Sequence, residues 1–269
     1  MKSLPRRRAP ARRRFGQHFL EPAWADKVVD AIAPAAGERF LEIGPGAGAL
    51  TLRLAPRVAA VTAVEVDRDL AADLRRRVPG NVDLVQADIL EVDLASYLDA
   101  PLRVAGNLPY NISSPILFKL IEASAAGAIV DAALMLQREV AERLIAPVNT
   151  REYGVLTIMT AVCADVRRLL DLPPGAFRPA PKVHSAVVRL TFKPPVVTGA
   201  TRLELERMVR VMFTQRRKTV LNALRPYAEA HGRAAASALS AAGLDPLRRP
   251  ETFNLAELIR LAAVFAPST

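Results

Sequence analysis

The stretch Phe40-Leu41-Glu42-Ile43-Gly44-Pro45-Gly46-Ala47-Gly48-Ala49-Leu50-Thr51 decides the fold. A short apolar run ends in three alternating glycines and passes into a helical pattern. That is the form of a strand-to-helix turn whose backbone can approach a ligand closely at Gly44 and Gly46. A glycine-rich stretch alone is more commonly an ordinary tight turn, so its surroundings matter. Glu65 closes the next β-branched run roughly twenty residues later, where a carboxylate can accept both hydroxyls of a ribose. The pair indicates a nucleoside-bearing cofactor. The dinucleotide pattern Gly-x-Gly-x-x-Gly is broken by Ala49, and Pro45 removes an amide that could donate to a pyrophosphate. A phosphate-free ligand fits better. S-adenosylmethionine is one, and its sulfonium cation suits carboxylates and carbonyls more than a ring of N–H donors. Asp88, just past the third strand, is placed either to accept from the adenine amine or to cap a helix.

Working outward, short β-branched runs alternate with helical patterns from Arg39 to about Phe192, the signature of βαβ units and a mostly parallel sheet. The spacing predicts strands at Arg39–Ile43, Val61–Glu65, Val82–Gln86, Arg103–Gly106 and Ala132–Gln137. Crossover helices are expected near Ala49–Pro56, Asp69–Val78, Pro115–Ala125 and Glu139–Ile145. Ser185–Phe192 alternates like a strand paired on one face, and is expected antiparallel at the far side of the sheet. After Lys193-Pro194-Pro195 the chain reads as amphipathic helices at Arg202–Phe213, Lys218–Leu224, Arg233–Ala242 and Leu255–Phe265. The expected organisation is a basic flexible tail (1–14), a catalytic α/β domain (15–195) and a small helical domain (196–269).

Composition narrows the function. The 269 residues carry 37 Lys and Arg against 27 Asp and Glu, a formal charge of +10. Residues 1–14 contribute +7, 202–269 contribute +5, and the span between them is −2. Codon bias toward arginine does not explain an excess confined to the ends, which suggests a polyanionic partner gripped there. A lone Cys163 forbids an internal disulfide, and three scattered histidines make no closed zinc site, so no metal is expected. The longest apolar candidate for a membrane span, Ala123–Leu136, is broken by Asp131. A reducing, cytoplasmic setting is expected. The basic start is not a secretory signal, although an Arg-rich, acid-free start also fits a mitochondrial transit peptide.

After the fourth strand comes Gly106-Asn107-Leu108-Pro109-Tyr110-Asn111-Ile112-Ser113, at the carboxyl end of a parallel strand, where ligands bind in such sheets. The Asn107 amide oxygen and the Leu108 carbonyl, held by Pro109, form two acceptors suited to the hydrogens of an exocyclic amine. Tyr110 offers a flat face on which a base can stack. An adenine amine is a poor nucleophile while its lone pair is delocalised into the ring. Pulling its two hydrogens out of plane turns that lone pair toward a methyl donor without a general base. The base must leave its stack, or come from a loop where it is already unstacked.

These segments occur in order with Phe15-Gly16-Gln17-His18-Phe19-Leu20, Gln86-Ala87-Asp88, Leu136-Gln137-Arg138-Glu139-Val140, Phe177-Arg178-Pro179-Ala180-Pro181-Lys182-Val183 and Gln215-Arg216-Arg217-Lys218-Thr219. Together they resemble the KsgA family of small-subunit ribosomal RNA adenine dimethyltransferases, over residues 15 to about 224. The resemblance implies a Rossmann-like methyltransferase fold with a seven-stranded sheet. It also implies dimethylation of two adjacent adenines in a hairpin loop near the 3′ end of the small-subunit RNA during ribosome assembly; an assembling small subunit is the expected partner and a monomer the default state, with naked RNA left open as the substrate. Carried over, it sets the cofactor against His18, Leu20, Gly44, Glu65, Asp88 and Asn107, and stacks Phe177 on the adenine opposite Tyr110. The tail, with Arg12, Arg13 and Arg14, and the cluster Arg216, Arg217 and Lys218, expected to begin a helix, would grip RNA phosphates. His18 departs from the family, which usually has Asn there. Two alternatives stay open. One is the related large-subunit adenine dimethyltransferases that confer macrolide resistance, and the other is a methyltransferase-like RNA-binding or transcription factor without turnover.

Overall fold

A computed structural model describes residues 17–267 except Leu98. The strands are β1 (Phe19–Leu20), β2 (Arg39–Ile43), β3 (Ala60–Glu65), β4 (Val82–Gln86), β5 (Leu102–Asn107), β6 (Ile129–Gln137), β7 (Ala164–Leu172), β8 (Phe177–Arg178) and β9 (Ser185–Phe192). The helices are α1 (Pro22–Ile32), α2 (Thr51–Leu54), α3 (Arg68–Arg75), α4 (Ser113–Ala123), α5 (Arg138–Leu144), α6 (Val155–Ala161), α7 (Gly199–Phe213), α8 (Val220–Ala230), α9 (Ala235–Ala241) and α10 (Leu255–Ala263).

Seven strands form one sheet in the order β4-β3-β2-β5-β6-β9-β7. Pairings from β4 through β6 are parallel, and β9 runs antiparallel to β6, from Asp131↔Thr191 to Gln137↔Ser185. The fold is therefore the expected Rossmann-like methyltransferase architecture. Strand β2 is apolar on both faces because helices cover both: Phe40, Leu41 and Ile43 are buried. Helix α3 starts where the Asp67 carboxylate accepts from the N–H groups of Asp69 (2.9 Å) and Leu70 (3.3 Å). The chain order turns back between β2 and β5, which opens a crevice above their carboxyl ends.

Several elements differ from the sequence reading, which also lacked the short β1, β8 and α6. Strand β9 lies between β6 and β7, so β7 rather than β9 forms the edge. Strand β7 was not expected, since Asp165, Arg167, Arg168 and Asp171 interrupt its apolar pattern, as charges on edge strands do. Helix α1 was also missed, although Ala25, Val28, Val29 and Ile32 are buried at helical spacing behind a Pro at its start.

The carboxyl end of α1 is held by two arginines from the sheet. Arg103 donates to the carbonyls of Ile32 (2.9 Å) and Ala33 (3.2 Å) and, with both Nε and Nη2, to Asp131 (2.8 Å each). Arg189 donates to the carbonyls of Ala31 (3.1 Å) and Ile32 (2.6 Å).

The chain divides into two compact units, one through Ala141 plus Val166–Phe192, the other Glu142–Asp165 plus the segment from Lys193 onward. The helical unit thus takes in 142–165, which the 195/196 boundary had assigned to the α/β part. Within it, Tyr153 donates to the carbonyl of Phe253 (2.9 Å), and the Asn149 N–H to that of Glu251 (2.8 Å). Helix α10 begins with a reciprocal cap in which Asn254 and Glu257 each accept from the other's N–H, at 2.9 and 2.8 Å. Gln215–Lys218 forms the turn between α7 and α8 instead of opening a helix, because α8 starts only at Val220. Among the described residues, no helix is long and apolar enough to cross a membrane, and no cluster of His, Cys, Asp or Glu could hold a metal ion.

Candidate active site

A cavity of about 290 Å³ lies at the carboxyl ends of β2, β3 and β5 and is roofed by residues 17–20. Its floor is the glycine loop. Gly44, Gly46 and Gly48 have φ of 66°, 55° and 84°, a region that favours glycine. A Cβ on Gly46 would stand 3.3 Å from the Phe19 ring, so the roof closes directly on this loop. The loop is pinned from outside by Arg77, which donates to the carbonyl of Ala47 (3.1 Å).

Glu65 ends β3 with its side chain buried. One carboxylate oxygen accepts from the Gly46 N–H and the other from the Asp67 N–H, each at 2.9 Å, so the group is held rigidly against the loop. Burial raises its pKa, and the two amides partly offset that rise. Asp88 also lines the cavity, and one of its oxygens accepts from the Leu90 N–H at 2.9 Å. Of the two alternatives read for it, the cap is present, although on a turn rather than a helix.

Asn107 closes β5. Its Nδ2 donates to the carbonyl of His18 at 2.8 Å, which commits the amide nitrogen to the roof and leaves Oδ1 as the acceptor facing a ligand. The Leu108 N–H is tied to the carbonyl of Met135 (3.2 Å), and the Ile112 N–H closes a turn on the carbonyl of Pro109 (3.2 Å). Tyr110 is half-buried, with its pKa raised by that burial, and its hydroxyl is fixed 2.6 Å from Ser185 Oγ. The His18 ring stacks on Tyr110 with centroids 5.6 Å apart. Its Nδ1 lies 2.7 Å from the carbonyl of Pro179, which can only accept, so Nδ1 carries the proton. Leu20 lines the same cavity.

Phe177 is a correction. It is fully buried in the core, paired in register with Leu20, and does not line the cavity. The pairing of β8 with β1 turns its side chain inward, so the stacking role implied by the resemblance has no place in this arrangement. Arg12, Arg13 and Arg14 lie outside the described residues. Of the other basic cluster, Arg217 and Lys218 are exposed, while Arg216 donates to the carbonyls of Arg151 (2.7 Å) and Thr150 (3.1 Å) and so serves first to tie two loops of the helical unit.

Sequence reasoning missed Glu42 and Ser185. Glu42 is 1% exposed on the cavity wall, and the signal for it was an ionisable residue inside an apolar strand. Nothing in the sequence marks Ser185 as the anchor of Tyr110. Three carboxylates, Glu42, Glu65 and Asp88, line the cavity, and among the described residues no Lys or Arg does. Such a wall repels phosphates and suits a cationic nucleoside, so the residues present fit S-adenosylmethionine.

The model of the Ribosomal RNA adenine dimethylase family matches residues 8–260. Proteins named Ribosomal RNA small subunit methyltransferase A are similar over nearly the whole chain. That of Acinetobacter baylyi is 43% identical, covering 96% of this chain and 93% of its own. That of Aromatoleum aromaticum is 44% identical, covering 95% and 94%. Among solved structures, a dimethyladenosine transferase from Plasmodium falciparum superposes with a TM-score of 0.76 at 25% identity, covering 91% of this chain and 96% of that one. The 23S rRNA methyltransferase ErmE superposes with a TM-score of 0.66 at 29% identity, covering 92% and 99%. The fold, a cavity built for a cationic nucleoside and these likenesses agree: the chain belongs to the ribosomal RNA adenine dimethylase family, enzymes that use S-adenosylmethionine to methylate adenine in ribosomal RNA.

Proposed function

We propose that this protein dimethylates the N6 amines of two adjacent adenines in a hairpin loop near the 3′ end of 16S rRNA, acting in the cytoplasm as a monomer on an assembling small subunit. The observation that carries the reading is the Asn107 amide, which lines the cavity and is oriented by the bond from its nitrogen to the His18 carbonyl, with its oxygen as the acceptor for a target amine. The choice of the small subunit is supported by relatives of that name at 43–44% identity, against 29% for the 23S enzyme. Leu108 in the tetrapeptide and the Arg216-Arg217-Lys218 cluster favour it as well.

When bound, the cofactor supplies an electrophilic methyl group on a sulfonium. Glu65 would hold its ribose hydroxyls and Asp88 its adenine amine, with Gly44, Gly46, His18 and Leu20 as the other lining residues that would hold it. Tyr110, braced by Ser185, stacks the flipped target base. Asn107 Oδ1 and the Leu108 carbonyl draw the two amine hydrogens out of the ring plane and so turn the nitrogen lone pair toward the place where the cofactor would supply its methyl group. The methylated amine then loses a proton to water. Arg217 and Lys218 hold RNA phosphates, with the basic tail (Arg12, Arg13, Arg14) as a second grip.

Asn107→Ala tests this. Methyl transfer to small-subunit RNA should fall about a hundredfold or more, as when one preorganised hydrogen-bonding group is removed from a transition state. Cofactor affinity measured by calorimetry should weaken less than about tenfold, a single hydrogen bond's worth. Near-normal transfer by the variant would contradict the amine-acceptor role.

A further inference from the structure

Glu42 poses a problem the methyl-transfer reading does not solve. Its side chain is 1% exposed, its Oε2 is buried with no hydrogen-bond partner, and it lines the cavity. Its sheet neighbours in register are Ala63 and Ala105, and the Thr51 hydroxyl and N–H at the start of α2 are the groups that favour its charged form. The other titratable groups on the wall are His18, Glu65, Asp88 and Tyr110, and among the described residues no cation lines the cavity to balance a buried negative charge. Burial with no cation beside it favours the neutral form of such a carboxyl. Burial pushes the Glu42 carboxyl up to about 7, with Thr51 pulling it down and Glu65 adding to the rise.

We propose that Glu42 senses the charge of the cofactor. It holds a proton in the free protein and releases it to solvent when a cation enters the cavity, so that the sulfonium donor is gripped more tightly than its thioether product. This rests on the cofactor reading above. The donor carries a sulfonium and an ammonium against one carboxylate, for a net +1, whereas the product has lost the sulfonium charge and is neutral. Each transfer therefore removes the charge that keeps Glu42 ionised. Glu42 regains its proton and the product is released, as an enzyme placing two methyl groups on each of two bases requires between rounds.

The test is calorimetry of S-adenosylmethionine and S-adenosylhomocysteine binding to the full chain, in buffers of different ionisation enthalpy at pH 6, 7 and 8. With the Glu42 carboxyl at about 7, S-adenosylmethionine binding should release about 0.9 proton at pH 6 and about half a proton at pH 7, and affinity should rise about tenfold from pH 6 to 8. S-adenosylhomocysteine should release less than half as much. Glu42→Gln, which copies the neutral form, should abolish the release and the pH dependence and narrow the preference for the sulfonium. The proposal is overturned if wild-type protein binds S-adenosylmethionine without releasing a proton, if both ligands release equally, or if Glu42→Gln still releases. Failure of S-adenosylmethionine to bind at all would overturn the cofactor reading and this proposal with it.

Discussion

Replacing Glu42 by Gln should make the protein more stable, and increasingly so as the pH rises. The buried carboxyl stands at about 7 against an ordinary value of 4.5. Between those values the unfolded chain has released the Glu42 proton while the folded chain keeps it, so the folded state binds more protons and stability falls as pH rises. At about 1.4 kcal/mol per pH unit, the penalty grows to about 3 kcal/mol and is complete above pH 7. By pH 5 the penalty is only about 1 kcal/mol, since little of the span has been crossed. Glutamine has the same shape and no proton to lose, so it escapes the penalty at every pH. Urea unfolding of both proteins at pH 5 and pH 8 is the assay. The stability of Glu42→Gln relative to wild type should increase by about 2–3 kcal/mol between the two pH values. The change with pH decides, because the absolute difference also includes the amide's own hydrogen bonds. Parallel pH profiles for the two proteins would refute the claim that Glu42 is buried in its neutral form.

Glu65→Ala should weaken S-adenosylmethionine binding much more than RNA binding, because it removes both the proposed ribose acceptor and the anchor of the Gly46 N–H. Equal cofactor affinity by calorimetry would refute the ribose assignment. Gly48→Ala should destabilise the protein by about 2–4 kcal/mol in urea unfolding, since φ is +84° and the new Cβ would stand 2.5 Å from Leu74 Cδ1. A neutral substitution there would mean that α3 does not press on the glycine loop. Asp131→Ala should cost about 3 kcal/mol, because Arg103 and Arg189 both lose their shared buried carboxylate, while Glu38, 2.7 Å from Arg103, retains part of the pairing. A loss below about 1 kcal/mol would show that the carbonyls at the end of α1 suffice for both arginines.

The parallel core was legible because β2, β3, β5 and β6 are buried on both faces and so read as apolar runs bounded by glycines and helical periods. Strand β7 was not, because an edge strand carries charge where a central one carries valine. Within the site, Gly44, Glu65, Asp88 and Asn107 could be found because chain spacing alone places them at the ends of adjacent strands. What spacing cannot give is direction. The family resemblance set Phe177 beside the base, whereas its pairing with β1 turns the ring into the core. The charge of the helical part and the resemblance together gave Arg216 a phosphate contact, whereas carbonyls of a loop some 65 residues away in sequence occupy its guanidinium. Glu42 belongs to the same strand as the glycine motif, yet its importance comes from an unpaired oxygen, which only packing reveals.

The central claim is that this cavity methylates adenine in small-subunit RNA. The most direct measurement gives the protein labelled S-adenosylmethionine together with small and large ribosomal subunits that lack these methyl groups, then digests each RNA and identifies the labelled base. Dimethyladenosine confined to two adjacent positions of the small-subunit RNA is the predicted result. Label in the large-subunit RNA, or no label in either, would contradict it.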